Sequence, residues 1–564
     1  MKTTNLYKRH IKRLKLVSIL VVFFISVSVG KTLYIQILHP QQKNIIQSRE
    51  VVGPRGTIYD RSGIKLAYDI EMCDLFLNGL KDKNLKAVSS FMNKHFNISS
   101  NKFDSLLSFH SGSYFSLFKG VPINKIDLIR DDINELEDIR VSNKYVGRYY
   151  PKNNLSSQLI GSFSITDNKK GLWGIELLMN DSLKGKKGFL PFRVSSRGKV
   201  SPVYNIEEYR KLSGEDVWLT IDAKYQKILE NELYNKLRLI NAESANGIII
   251  NPYNGEVLAL ASIPNLNLNN QNPKNNDDYR DYSTFYDYEP GSTFKIFPIL
   301  TGIENNIISL SDEYYCENGH YYIPYLDRTI TDHIGQDTLS VSSILSVSSN
   351  IGIAKIASDI GKERIYNTIK NFGVGQKTGI NWYHESSGNL KEVNHWDDYS
   401  LASISMGQEL LSNNLQIAMA YSALANGGYL LKPKIVENAY NKEVSIVRKV
   451  SSPDAIDKLI EALKLVVSVG TASNYIEEYC MYGKTGTAEI YNKEDKAYSK
   501  SDYISTFAGV FPCEEPKLVC VVSFHKPSEA YKWAGLSAAP AVQSIFKRVF
   551  IEDQDLHVEI ANER

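Results

Sequence analysis

The stretch EPGSTFKIF, residues 289–297, sets Ser292 and Lys295 three apart, directly after Pro290-Gly291. On a helix, positions i and i+3 share a face, with Cβ atoms about 5–6 Å apart. A serine hydroxyl becomes a competent nucleophile only when a neighbour takes its proton. A lysine can do that only as a neutral amine. With an ordinary pKa of about 10.4, roughly one lysine in two thousand is neutral at pH 7. Burial or a second cation can lower that pKa by several units. The pair therefore demands a partly dry pocket and, ideally, another positive charge. Pro290-Gly291 marks a helix start, whose unpaired N–H groups and positive dipole end would surround the serine.

S-x-x-K alone carries little information. It also begins at Ser28, Ser62, Ser99, Ser116, Ser196 and Ser544, and a random instance is a solvated helix face. Specificity comes from companions in order. Ser348-Ser349-Asn350 follows, and then Lys484-Thr485-Gly486-Thr487. Taken singly, the first reads as a helix-cap turn and the second as a plain turn. Decoys of both exist, at Ser99-Ser100-Asn101 and at Lys377-Thr378-Gly379. The former lies upstream in a mixed segment, and the latter in a loop-like context. Lys484 instead opens GKTGTAEIY, a strand-like run before a terminal hairpin, where a backbone edge could pair with an extended peptide.

Together these residues describe a serine acyl-transfer site. Ser292 attacks a carbonyl and becomes an ester, with Lys295 as general base. Ser348 can relay a proton to the leaving amine, and Asn350 orients Lys295 and the substrate amide. Lys484 supplies the second cation. The hydroxyls of Thr485 and Thr487, flanking Gly486, can bind a substrate carboxylate. Backbone N–H groups of Ser292 and Thr487 would form an oxyanion hole, worth about 3–4 kcal/mol per donor.

The elements that must position this chemistry are legible in outline. The chain of 564 residues is long enough for two or more domains. A net charge of +2 argues against bulk nucleic-acid binding. Five scattered cysteines, Cys73, Cys316, Cys480, Cys513 and Cys520, are not a disulfide framework, and no C-x-x-C signals zinc. Cys513 and Cys520 could meet across a hairpin, although small buried residues are the simpler reading. Residues 1–15 are basic and free of acids; residues 16–38 are apolar apart from Lys31. That run would span ~30 Å of hydrocarbon, with the basic flank cytoplasmic. The small residues Ser28-Val29-Gly30 leave a cleaved signal peptide as the rival. The apolar run beyond Lys31 favours an anchor.

Residues 39–212 read as a mixed segment with a tight turn in VVGPRGTIYDRSG (51–63). Residues 213–552 read as an α+β domain. An amphipathic helix capped by Asp222 precedes two strands over 244–262, joined at Asn254-Gly255. Helical stretches fill 290–305, 340–360 and 414–426. A hairpin over 502–525 and a closing helix over 537–552 finish the domain, leaving a tail at 553–564. Strands at both ends with helices between predict an antiparallel sheet with a helical body.

At this point the chain resembles the class B penicillin-binding proteins, single-span peptidoglycan D,D-transpeptidases. RGTIYDRSG, RYYP, QLIGSF and GLWGIE are similar to that family's pedestal motifs. LTIDAKYQ, NPYNGEVLALAS, EPGSTFKIF, SSNIG, MGQEL, ALANGG and GKTGTAE fall in its order across the catalytic domain. The resemblance implies a penicillin-binding, β-lactamase-like transpeptidase fold behind a transmembrane helix and an elongated mixed α/β pedestal of the dimerisation type. It implies a D-Ala-D-Ala donor, an acceptor amine on a neighbouring stem peptide of lipid II-derived strands, trapping by β-lactams, and no cofactor or metal. DYISTFAGVFPCEEPKLVCVV is similar to the division-specific, FtsI-type branch. That implies septal cell-wall synthesis beside an FtsW-type membrane glycosyltransferase and other divisome membrane proteins. The location implied is the bacterial inner membrane, with the N-terminus cytoplasmic and the catalytic domain periplasmic. The absence of PASTA-like repeats points to a Gram-negative-type enzyme. The elongation-specific branch is the main alternative. A β-lactamase or carboxypeptidase, a β-lactam sensor and a divisome scaffold follow. The likeness is poorest over 80–145.

Overall fold

The apolar N-terminal run folds as a single helix, Thr3–Leu38, that also takes in the basic flank. Nothing breaks it before Pro40. Its window Tyr7–Ile35 is long and apolar enough to cross a membrane. The structure, a computed structural model, describes residues 3–38, 45–78, 85–108, 114–164, 170–195, 200–269, 279–437, 443–473, 480–492 and 497–553. Most of the expected tail, 554–564, lies outside them.

Two compact units contain these residues: 1–55 with 184–214, and 56–183 with 215–564. The first carries a three-stranded antiparallel sheet of Ile45–Val52, Lys187–Val194 and Val200–Pro202. A short helix, Ile206–Arg210, follows it. That helix opens on a capping box in which Asn205 accepts from Glu208 N and Glu208 from Asn205 N.

The second unit begins with the turn predicted in RGTIYDRSG. Asp60 is fully buried and accepts from Ser62 N, Ile64 N and Ala223 N at 2.9, 2.7 and 3.0 Å. From this turn a long strand, Lys65–Asn78, pairs with Tyr114–Pro122, Ile139–Val141 and Tyr145–Tyr149. The strand Tyr114–Pro122 was not foreseen. Phe115 and Leu117 alternate into a local core with Leu75, Leu77, Phe91, Met92 and Phe103.

The catalytic half follows in order: α1 (Ala223–Ile240), β1 (Ser244–Ile250), β2 (Val257–Ile263), α2 (Ile296–Glu304), α3 (Val341–Val347), α4 (Asn350–Ile360), α5 (Asn414–Ala425), α6 (Pro453–Ser468), β3 (Tyr482–Asn492), β4 (Ala497–Phe511), β5 (Leu518–His525) and α7 (Ala538–Glu552). The strands form one antiparallel sheet in the order β2-β1-β5-β4-β3. α1 starts where Asp222 accepts from Lys224 N and Tyr225 N. Its apolar stripe, Ile228, Leu229 and Leu233, packs with α7 residues Val542 and Phe546 on one sheet face. α5, buried along its whole length, shares the opposite core with Ile248, Val519 and Val521. Both faces are covered, which is why the strands read as unbroken apolar runs. Asn254-Gly255 lies in a connection over 251–256, wider than the two-residue turn that the dipeptide predicts.

The cysteines correct the reading from spacing. Cys480 and Cys513 form a disulfide, joining the start of β3 to the end of β4. Cys520 instead sits buried within β5, opposite Gly509 and Ile249, so it does not pair with Cys513.

The pedestal motifs converge on one ion cluster. Arg148 of RYYP donates to Glu176 of GLWGIE at 2.7 Å, to Asp69 at 3.2 Å and to the carbonyl of Gly56 at 2.7 Å. The three charged side chains are almost wholly buried. Arg148→Ala removes a buried cation from beside two carboxylates, so it should destabilise the protein by about 3–5 kcal/mol. A urea melt that moves by less than about 1 kcal/mol would show that the cluster is not holding this segment.

Candidate active site

Gly291–Lys295 folds as a 3₁₀ turn that runs directly into α2. With three residues per turn, side chains at i and i+3 eclipse. Ser292 and Lys295 thus line up more closely than on the α-helix expected. Three bonds fix the turn. Thr293 Oγ1 donates to Pro290 O at 2.8 Å, Tyr421 OH of α5 donates to Thr293 O at 3.0 Å, and Gly291 N donates to Gly407 O at 3.0 Å. Ser292 is partly exposed, whereas Lys295 is fully buried.

Lys295 Nζ donates to Ser348 O at 2.5 Å and Asn350 Oδ1 at 2.7 Å, and lies 3.3 Å from Ser348 Oγ. A neutral amine has two N–H groups, and two carbonyl-type oxygens take them. Its lone pair is then left for a hydroxyl. Burial pushes the Lys295 pKa down to about 7, against a smaller opposing pull from the Asp332 carboxylate.

Ser348 closes α3 in the left-handed conformation, with φ +65°, a geometry that costs a non-glycine residue about 1–2 kcal/mol. The reversal aims its carbonyl at Lys295. Ser349 then caps α4, accepting from Gly352 N at 2.9 Å. Asn350 is turned by its own amide, which donates to Thr331 O at 2.9 Å.

The third group lies on β3, the edge strand of the sheet. Lys484 is fully buried, and its Nζ donates to Thr485 O at 3.1 Å and Oγ1 at 3.3 Å. Burial, and after it repulsion from Lys295, pushes the Lys484 pKa well down. Sequence reasoning made Lys484 the cation that neutralises Lys295. Here desolvation is the larger cause for both amines. The Thr485 hydroxyl is 2.7 Å from that of Thr471, and Thr487 Oγ1 accepts from Ala534 N at 3.1 Å.

Backbone proximity joins the first and third groups. A Cβ on Gly486 would come within 2.7 Å of Pro290 O, so only glycine allows β3 to lie against the turn. A Cβ on Gly291, at φ +55°, would lie 3.2 Å from the carbonyl oxygen of Thr487, a tight contact in a backbone conformation that favours glycine. The Ser292 and Thr487 segments are therefore neighbours. The Ser292 hydroxyl itself makes no hydrogen bond among the described residues.

The decoys fall elsewhere. Ser100 and Asn101 begin a pedestal helix, and Thr378 is tied to Glu385 through its N–H and its hydroxyl. Sequence reasoning missed Asp332, Thr471 and Ala534. None belongs to a short motif. Only the apolar-to-polar break in TITDHIG could have marked Asp332 as the end of a strand.

A buried Ser-x-x-Lys turn, a Ser-x-Asn turn bonded to its lysine, and a Lys-Thr-Gly edge strand define a serine acyl-transfer enzyme of the penicillin-recognising class. The family comparison makes this particular. The penicillin binding protein transpeptidase domain matches residues 247–548, and the penicillin-binding protein dimerisation domain matches residues 50–219. The chain belongs to the penicillin-binding protein transpeptidase family, with the domain pair of a class B, FtsI-type member. It is 29% identical over 513 residues to stage V sporulation protein D of Bacillus subtilis, covering 87% of this chain and 77% of that one. It is 24% identical over 539 residues to peptidoglycan D,D-transpeptidase FtsI of Escherichia coli K12, covering 92% and 87%. In fold it is similar to penicillin-binding protein 3 of Mycobacterium tuberculosis in complex with aztreonam. The TM-score is 0.66 at 21% identity, covering 89% and 97%.

Lys295 can accept a proton only when it is neutral, and its pKa lies at about 7. The rate of acylation by a penicillin should therefore fall about tenfold per pH unit below that point and level off above it. Stopped-flow or quenched labelling from pH 5 to 9 measures the limb. A rate independent of pH between 5 and 8 would remove Lys295 as the base.

Proposed function

We propose that this class B penicillin-binding protein uses Ser292 to cross-link peptidoglycan stem peptides during septal wall synthesis. The single observation that carries the chemistry is the fully buried Lys295, bonded to the Ser348–Asn350 turn one 3₁₀ step from Ser292. Lys295 takes the Ser292 proton as Oγ attacks the carbonyl of the penultimate D-Ala of the donor. The N–H groups of Ser292 and Thr487 bind the oxyanion, and Thr485 and Thr487 the terminal carboxylate. Lys484 adds positive potential whenever it holds a proton. The C–N bond breaks, Ser348 relays a proton to the leaving D-Ala, and an acyl ester remains. An amine of a neighbouring stem then attacks the ester, its proton passes to Lys295, and Ser292 is restored. A β-lactam enters as the donor does and leaves a persistent ester.

Around this site we assign residues 1–15 to the cytoplasm, 16–38 to a single membrane span, 39–212 to the pedestal and 213–552 to the transpeptidase domain. The catalytic part then lies outside the inner membrane. An FtsW-type glycosyltransferase and other divisome membrane proteins are the expected partners. The division role rests on the likeness of residues 502–522 to the FtsI-type branch. Elongation is the second reading, since relatives under other names also align along most of the chain.

Full-length protein in detergent, incubated with a fluorescent penicillin, should carry a label stable for tens of minutes. Ser292→Ala should carry none. An equally labelled variant would sink the nucleophile assignment, and a label lost within seconds would favour a hydrolase. In cells, a fluorescent fusion should gather at midcell. An even distribution along the side wall would favour elongation.

A further inference from the structure

The hairpin His320–Ile323/Arg328–Thr331 delivers Thr331 and Asp332 to the start of α4, and neither has a role in the reaction described above. The Asp332 carboxylate accepts from Ser349 Oγ at 2.6 Å, from Asn350 N through a short hydrogen bond, and from Ile351 N at 3.1 Å. It therefore takes two of the unpaired N–H groups that open the helix and lies at the positive end of its dipole. The preceding carbonyl, Thr331 O, accepts from Asn350 Nδ2 at 2.9 Å. That bond decides which end of the Asn350 amide faces Lys295. The turn being held has Ser348 in the left-handed region, at φ +65°.

We infer that Asp332 is a positioning residue for the general base: it clamps the Ser348–Asn350 turn onto Lys295 and sets the charge that the amine meets. The inference rests on the function proposed above. The charge near Lys295 comes from Asp332 at the hairpin end and, when it holds a proton, from Lys484 on β3. They act in opposite senses. Lys484 disfavours a second ammonium, whereas Asp332 favours it. Asp332 thus holds the base in place at the expense of its readiness at low pH. A carboxylate that only capped α4 would have no effect on the titration of Lys295.

The test uses full-length protein in detergent, with the acylation rate by a fluorescent penicillin followed from pH 5 to 9. Asp332→Asn keeps the size of the side chain and one acceptor but removes the charge. The rate on the upper plateau should fall about tenfold as the turn loosens. The midpoint of the acid limb should move down by about 1 pH unit, because the ammonium has lost its stabilising partner. Asp332→Glu keeps the charge and displaces it, so the rate should fall while the midpoint stays near that of the wild type. Thermal melting of both variants reports that they are folded. An unmoved midpoint in Asp332→Asn, or an equal shift in both variants, overturns the inference. So does a wild-type rate in Asp332→Asn. If the wild type itself takes no label, the proposed function fails instead, and the two failures are told apart. Should Asp332→Asn fail to fold, Asp332→Thr, which is smaller and also uncharged, takes its place, and an unmoved midpoint there overturns the inference.

Discussion

A buried amine that still has hydrogen-bond partners is the constraint on which the site depends. Lys295 has no exposed surface, so its ammonium form is disfavoured by desolvation, yet its N–H groups need acceptors. Ser348 O and Asn350 Oδ1 supply them. The acceptors must come from a segment remote in sequence, and they must be held where a neutral amine can use them. Much of the surrounding architecture answers that need. α5 covers the turn from one side through Tyr421, and α3 and α4 break at Ser348 to present a carbonyl.

The second constraint is contact between backbones. The turn that carries Ser292 and the strand that carries Thr487 approach too closely for side chains, and glycines at 291 and 486 occupy the contact. A close approach of two backbone segments is what an oxyanion hole built from main-chain N–H groups requires. It also explains why the catalytic strand is the sheet's edge. An inner strand has both edges committed to the ladder, whereas among the described residues β3 pairs with one strand only. The disulfide Cys480–Cys513 and the pairing with β4 hold the strand from its other side.

The two constraints differ in how well the sequence displays them. Ser292, Lys295, Ser348, Asn350 and Lys484 were legible because each group is a short motif in which side chains or a glycine needed for close approach are adjacent in the chain. The five strands and the helices α1, α5 and α7 were legible because burial on one or both faces imposes a period. The strand Tyr114–Pro122 was not, since its alternation is diluted by Lys119 and Gly120. Asp332, Thr471 and Ala534 were hidden for another reason. They act by contacts to segments 14 to 47 residues away in the chain, from loops whose composition is ordinary. The disulfide is missed because small buried cysteines are the simpler reading, the pairing weighed was Cys513 with Cys520, and the true partner, Cys480, precedes the hairpin.

The buried polar residues of the pedestal motifs serve packing. Asp60 uses its carboxylate to close a turn and to receive Ala223 N at the first turn of α1. Arg148 bridges Glu176 and Asp69 in a pocket almost without solvent. Such groups are costly to bury and destabilise strongly when one partner is removed. They also specify a single arrangement, because each acceptor is matched to a fixed donor. The segment 56–183 therefore packs as one unit with the catalytic half, and the division of the chain falls near residues 55, 183 and 214. A boundary drawn from composition alone, at a linker such as KLSGED, follows the chain; the buried ion cluster and the Asp60 turn follow the packing. The recognisable pedestal motifs are, on this argument, devices that join a non-catalytic segment to α1, which backs the same sheet that carries the catalytic strand.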